Sequence, residues 1–297
     1  MSGVLVLGQI ARDLVLAVPR VPEGGGSATV RARREVLGGK GANQAVALAQ
    51  LGAEVDLIGV AGRDAVGEAL VARLRTDGIG VRYVARRGAS ALLVDVVDAD
   101  GVSRLLEDVP EESLVRGADV AAVRELDRWD TVSLQLQQPA AAVLRLARRA
   151  SAAGLRVVLD GAVQGGEADE LLRLAEVLRA DADEASELVG GTVRTASEAA
   201  DAADLLRSRG PAIVAVASED GNTIAWGRHR VHVPFGELVP VDRTGGGDSF
   251  VAGLVQGLRR GLGPEAAGRW ATACSGSTVA RLGGRPYLVE TVAHAGT

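Results

Sequence analysis

Two stretches of this chain carry residue types at spacings that could do chemistry. The first is Gly38-Gly39-Lys40-Gly41-Ala42-Asn43-Gln44. It holds the only lysine among 33 basic residues; the rest are arginine. A compact ammonium on a flexible stem is not interchangeable with a planar guanidinium. Flanking glycines and one of only two asparagines (Asn43, Asn222) mark a place where backbone approaches a small ligand, with Lys40 and Asn43 facing it. The second stretch is Val241-Asp242-Arg243-Thr244-Gly245-Gly246-Gly247-Asp248-Ser249-Phe250, where three glycines run straight into a helix. Free backbone amides and the positive helix end make such a loop an anion site suited to phosphate. A first-turn carboxylate such as Asp248 commonly caps its own helix. With an anion site immediately before it, a general-base role is the stronger reading: Asp248 takes a proton from an attacking hydroxyl while the amides hold charge on a transferred phosphoryl group. No Gly-Lys-Ser/Thr follows the glycines, so this is not a Walker A loop. It also lies too late in the chain for a dinucleotide fingerprint, which disfavours a Rossmann oxidoreductase.

Short aliphatic runs alternate with Ala/Leu/Arg-rich helical stretches. Strands are expected at Val4–Leu7, Val55–Val60, Thr131–Leu136, Leu155–Leu159 and Ala212–Ala217. Helices are expected at Asn43–Leu51, Ala65–Thr76, Ala140–Ala153, Gly166–Arg179, Ser197–Arg209, Ser249–Arg260 and Pro264–Ala280. This rhythm predicts an α/β fold with a mostly parallel central sheet covered by helices on both faces. Residues about 12–37 and about 82–110 break it, alternating like strands without intervening helices. The second carries a hairpin signal at Asp100-Gly101. These segments are read as a small β-sheet lid inserted in a single domain spanning 1–297.

Composition closes off other classes. Net charge is −5 with no long basic block, which disfavours nucleic-acid binding. The cluster Arg31-Ala32-Arg33-Arg34 reads as a solvated strand or lid edge. Cys274 is alone, so no intrachain disulfide can form, and its Ala-Thr-Ala-Cys-Ser-Gly setting reads as packed helix. Hydrophobic content is 47% but aromatics only 2%, so the core must be aliphatic. The start, Met1–Gly8, lacks a charged n-region and reads as a buried strand, not a signal peptide. No apolar run approaches the roughly 18 residues of a membrane span. A soluble, cytoplasmic protein is expected.

The two stretches together resemble the signature motifs of the ribokinase (pfkB) family of carbohydrate kinases. The first runs from Gly38 through Ala53 and continues at Gly59-Val60-Ala61-Gly62-Arg63-Asp64-Ala65-Val66-Gly67; the second is Asp242 to Phe250. Their order and separation fit, and the likeness covers essentially the whole chain. It implies a ribokinase-like α/β fold with a small β lid. It also implies ATP-dependent phosphorylation of a primary hydroxyl of a small sugar, a pentose such as D-ribose, with Mg²⁺ and a monovalent cation (K⁺) as cofactors. By the resemblance, Asp248 matches the catalytic base and Gly245, Gly246 and Gly247 the anion hole. Gly38, Gly39, Lys40 and Asn43 match the sugar-contacting turn, and Asp13 the carboxylate that binds two sugar hydroxyls. Asp242 and Thr244 match part of a monovalent-cation loop, completed from about Thr278–Tyr287. Glu184 matches a glutamate that organises magnesium and phosphate; Asp181, Ser218, Gly221 and Gly247 fall on nucleotide contacts. The family often dimerises through its lid, so a homodimer is expected.

Departures from the pattern leave the sugar open. Ala11 stands where ribokinases commonly have Asn, and Gln137 where a ribose-contacting Glu is common. Asp181 replaces an Asn, Gly246 an Ala, and Val216-Ala217-Ser218 the usual Thr-Leu-Gly. Sites that hydrogen-bond a hydroxyl discriminate by those bonds. A kinase for a deoxysugar, another carbohydrate or a nucleoside is therefore the alternative within the class. A non-catalytic sugar- or nucleotide-binding regulator is the alternative outside it.

Overall fold

The computed structural model describes residues 2–163 and 165–288. In chain order the elements are β1 (Gly3–Leu7), β2 (Ala11–Ala17), β3 (Ala32–Gly38), α1 (Lys40–Gln50), β4 (Val55–Ala61), α2 (Ala65–Thr76), β5 (Ile79–Gly80), β6 (Val84–Arg86), β7 (Ala91–Val97) and β8 (Ser103–Asp108). Then follow α3 (Gly117–Ala121), β9 (Trp129–Gln135), α4 (Ala140–Ala152), β10 (Arg156–Asp160), α5 (Ala168–Leu174), β11 (Val177–Ala180), α6 (Ala182–Val189) and α7 (Ala196–Ser208). The last are β12 (Ile213–Ala217), β13 (Gly221–Trp226), β14 (His229–Pro234), α8 (Gly246–Arg259) and α9 (Pro264–Val279).

A ten-stranded sheet runs β14-β13-β12-β11-β10-β9-β1-β4-β5, with β6 also paired to β4. From β12 through β5 neighbouring strands are parallel; β13 and β14 add an antiparallel hairpin. Parallel sheets need both faces covered, so their strands are apolar throughout and do not alternate. In β1, Leu5 and Leu7 join the core on one face, Val4 and Val6 the core on the other. A separate four-stranded sheet, β3-β2-β7-β8, stands beside it as the lid alternation predicted. Its β7–β8 hairpin turns at Gly101, whose φ of +73° suits glycine.

Three expectations need correction. The helix read over Gly166–Arg179 ends at Leu174, and Val177–Ala180 is a strand in the middle of the large sheet. The Leu/Ala/Arg composition favours helix, but all four residues are buried between β10 and β12, and tertiary packing overrides propensity. The lid segment read from about 82 is shorter: Val84–Arg86 pairs with β4 in the large sheet, and only β7 and β8 join the small one. In the segment read over 12–37, residues 18–31 form no strand. Helix α6 and the β13–β14 hairpin were not anticipated. Among the described residues no helix is long and apolar enough to cross a membrane.

Candidate active site

The candidate residues gather at the carboxyl edge of the large sheet. Ligand sites in open α/β sheets lie at this edge, where strand order reverses. Here it reverses at β1, flanked by β4 on one side and β9 on the other. β10 ends at Asp160 and β11 at Ala180, and the chain passes from β1 through Gly8, Gln9 and Ile10 directly into the small sheet.

Asp248 sits in the first turn of α8, 5% exposed. It does not cap its helix; the N-cap is Gly245, without a side-chain cap bond. Its carboxylate instead accepts from Asn43 Nδ2 at 3.0 Å and, more weakly, from Gln44 Nε2 at 3.4 Å. Burial and the nearby Asp160 charge raise its pKa to about 7, against Lys40, Asn43 and Gln44, which pull it down. A carboxylate poised near neutral pH is suited to accept a proton in catalysis. Gly245, at φ +72°, occupies the left-handed region, and a Cβ there would overlap the Gly284 carbonyl. The tight glycine turn is therefore a packing requirement between the α8 loop and the segment after α9.

Lys40 opens α1, where the helix dipole disfavours a cation. The local misfit is answered across the site: its Nζ donates to Glu184 Oε1 at 2.9 Å, from 144 residues away. Burial works against the ammonium, but the carboxylates of Asp160, Glu184 and Asp248 outweigh it and hold its pKa above the ordinary lysine range. Gln44 ties Asp248 to Asp160, donating to Asp160 Oδ2 at 2.8 Å. Arg179, on β11, donates to Asp160 Oδ1 at 3.1 Å and lies 3.6 Å from Glu184 Oε2. Its guanidinium rests against Gly247, where an added Cβ would come within 2.6 Å of Nη2. Two cations thus face three carboxylates, and the surplus negative charge falls on Asp248 and Asp160. A local rule broken at Lys40 and compensated elsewhere is what a functional site leaves in a sequence.

Asp13, on β2, is 5% exposed. Its carboxylate lies over Gly38, where any side chain would overlap it, and accepts from the Gly39 amide. Burial first, then the charges of Asp248 and Asp95, raise its pKa to about 7. Among the described residues, no hydrogen-bond partner reaches one of its oxygens, the buried Oδ1.

The remaining candidates fall into four places. Asp242 is fully buried, and its carboxylate accepts from the amides of Thr244 (2.9 Å) and Gly283 (2.8 Å), joining the loop before α8 to the segment after α9. Asp181 and Glu184 form a reciprocal capping box on α6, each bond 2.8 Å, so Asp181 already serves the helix end. Ser218 and Gly221 close the turn between β12 and β13, with the Ser218 amide donating to the Gly221 carbonyl. Gln137 is exposed beyond β9 and accepts from Gln135 Nε2 at 2.8 Å, while Gln135 Oε1 takes the Gln9 amide. Gln44, Asp160, Arg179 and Asp95 were missed. Polar residues ending or interrupting buried strands, as Asp160 and Arg179 do, were the available signal. A cavity of about 550 Å³ lined by Arg12, Val36, Leu70 and Arg285 lies elsewhere; Arg12 alternates with Asp13 and so points to the other face of the lid.

Comparison with known proteins finds relatives along nearly the whole chain. Residues 1–291 match the family model described as pfkB family carbohydrate kinase. An ATP-dependent ribose-1-phosphate kinase of Halopiger xanaduensis is 33% identical over 297 residues, covering 96% of this chain and 94% of that one. A ribokinase of Haemophilus influenzae is 28% identical, covering 95% and 94%. The solved structure of Arabidopsis thaliana ribokinase with ribose and ATP superposes with a TM-score of 0.78 at 25% identity, over 99% of this chain and 98% of that one.

Proposed function

The chain belongs to the pfkB family of carbohydrate kinases, ATP-dependent phosphotransferases, and from that premise we propose that it phosphorylates a primary hydroxyl of a small sugar, a pentose such as D-ribose. The observation that carries this reading is Asp248, a buried carboxylate with pKa near 7 that is free of helix capping and follows three glycines. Asp13, Lys40, Asn43 and the backbone of Gly38 and Gly39 orient the sugar, with Gln137 at the edge. Asp248 takes the acceptor hydroxyl's proton as that oxygen bonds to the γ-phosphorus. The bond from phosphorus to the bridging oxygen breaks and ADP leaves. The Gly245–Gly247 amides hold the charge on the transferring group, since phosphoryl transfer is mostly positioning and electrostatics.

We assign Asp181, Ser218, Gly221 and Gly247 to the nucleotide. When bound, Mg²⁺ neutralises phosphate charge. Among the described residues no group of three His, Cys, Asp or Glu is set to ligate a metal, which fits an ion that keeps several waters and is organised indirectly through Glu184. Among the described residues, the buried Asp242 carboxylate has only backbone amides as hydrogen-bond donors; a monovalent cation such as K⁺ held by Asp242, Thr244 and the 278–287 segment would balance its charge. We further assign a homodimer contact to the small sheet acting as lid. Its edge strand β8 is exposed along its whole length, with Leu105 and Leu106 half or more uncovered, and such edges invite pairing.

The test is ADP release with ATP, Mg²⁺ and K⁺ against a panel of pentoses, deoxypentoses, hexoses, nucleosides and ribose 1-phosphate. Turnover of D-ribose is the expected result. Turnover only of another compound keeps the mechanism and moves the specificity to the alternative that Ala11 and Gln137 motivate. Nucleotide binding with no turnover of anything overturns the proposal in favour of a regulator.

With an active substrate in hand, kcat/KM is expected to fall as pH drops below an apparent pKa near 7, because protonated Asp248 cannot accept a proton. Asp13 is raised to the same range, so the limb reports on both groups together. Lys40→Met removes a cation that lowers the Asp248 pKa. The limb should then move to higher pH; an unchanged limb would contradict this electrostatic assignment.

A further inference from the structure

The small sheet brings a second carboxylate into the space that Asp13 faces. β2 and β7 pair in parallel, with Asp13 opposite Leu93 and Val15 opposite Asp95. Residues in register, and residues two apart, point to the same face. Asp13 and Asp95 therefore share one face on neighbouring strands, and both are buried, at 5% and 4% exposed. Asp95 Oδ2 accepts from the Thr244 hydroxyl at 2.6 Å, on the loop that leads into Gly245. The Arg104 backbone also helps hold the Asp95 charge, yet among the described residues no hydrogen-bond partner reaches the buried Oδ1 of Asp95 or of Asp13. The Asp95 charge reaches the other carboxylate: it is among the groups that raise Asp13. Buried polar atoms in native proteins are nearly always hydrogen-bonded, and two adjacent buried carboxylates each with a bare oxygen are costly until donors arrive.

Resting on the reading of a sugar as phosphoryl acceptor, we propose that Asp95 is a substrate-binding residue, which together with Asp13 grips hydroxyls of a neutral polyol beneath the small sheet. The two bare oxygens are complementary to hydroxyl donors, and neither complements an anionic group. Asp95 therefore sets specificity from the lid side, while Asp13 does so from the strand that follows β1. Its second oxygen, held by Thr244, couples the seated sugar to the glycine loop.

The test is calorimetric binding of D-ribose, its 2-deoxy and 3-deoxy forms and a wider polyol set to the full-length protein, beside Asp95→Leu and the isosteric Asp95→Asn, with turnover measured in parallel. One deoxy form should bind wild type roughly 10- to 100-fold more weakly than the parent, as for a hydrogen bond to a charged group. Asp95→Leu should bind the parent weakly by a similar factor and that deoxy form no more weakly than the parent. Asp95→Asn should lie between. Thr244→Val tests the other explanation, that Asp95 only braces the loop. If so, Thr244→Val and Asp95→Leu weaken every analogue alike, and the proposal is wrong. Polyol binding with this coupling but without turnover would remove the kinase reading and leave the Asp95 assignment standing. Absence of any polyol binding would overturn both.

Discussion

Asp248→Asn is expected to lower kcat by about 10³-fold, within the range of roughly 10²–10⁴ that a positioned general base contributes. The carboxamide keeps the shape of the side chain and its place between Asn43 and Gln44 but cannot take up the hydroxyl proton. KM for the sugar and the affinity for ATP should change far less, because neither the Asp13 side of the site nor the glycine amides is altered. Steady-state kinetics with calorimetric titration of both ligands separates these quantities. A variant that keeps kcat within about tenfold would mean that Asp248 is not the base, since even the low end of the catalytic range would then be missed.

Gly245→Ala should be nearly as damaging, for a reason that lies in the backbone. Gly245 is the N-cap of α8 at φ +72°, where a side chain costs on the order of 1–3 kcal/mol of strain. The new methyl would also overlap the Gly284 carbonyl, and a backbone atom cannot swing away as a side-chain tip can. The loop must shift, and its amides with it. Displacing one such donor typically costs about 10²–10³ in kcat. Gly246→Ala is the informative contrast. Position 246 has no positive φ, and its Cβ would meet only the ends of Val279 and Ser275 side chains, at 2.8 and 3.0 Å. It should lose far less activity. Equal losses in the two variants would locate the effect in helix packing and not in the amide geometry of the loop.

The parts of the site that could be read from the chain share one property: local composition betrayed them. Lys40 stood out because arginine fills the other basic positions, and Asp248 because three glycines precede it. In the fold, Lys40 donates to Glu184 while Asp248 accepts from Asn43 and Gln44, and the Lys40 charge reaches Asp248. The α/β class was legible from alternating runs, since parallel strands buried on both faces are continuously apolar. What stayed hidden depends on topology. Asp160 meets Gln44 across 116 residues of sequence only because β10, β9 and β1 are neighbours. Arg179 was concealed in a stretch whose composition favours helix, and burial between β10 and β12 makes it a strand. Asp95 looked like one more polar residue in an alternating lid strand. Only the β2–β7 register reveals that it points inward, beside Asp13.

As proposed, this protein moves a phosphoryl group from ATP to a sugar hydroxyl, with Asp248 as the proton acceptor. The most direct test is to follow wild type and Asp248→Asn by phosphorus NMR with ATP, Mg²⁺, K⁺ and D-ribose. The predicted result is ADP and a sugar phosphate monoester appearing in equal amounts with wild type, and neither at a comparable rate with the variant. ADP appearing with free phosphate in place of a sugar ester, or equal rates from the two proteins, would contradict it.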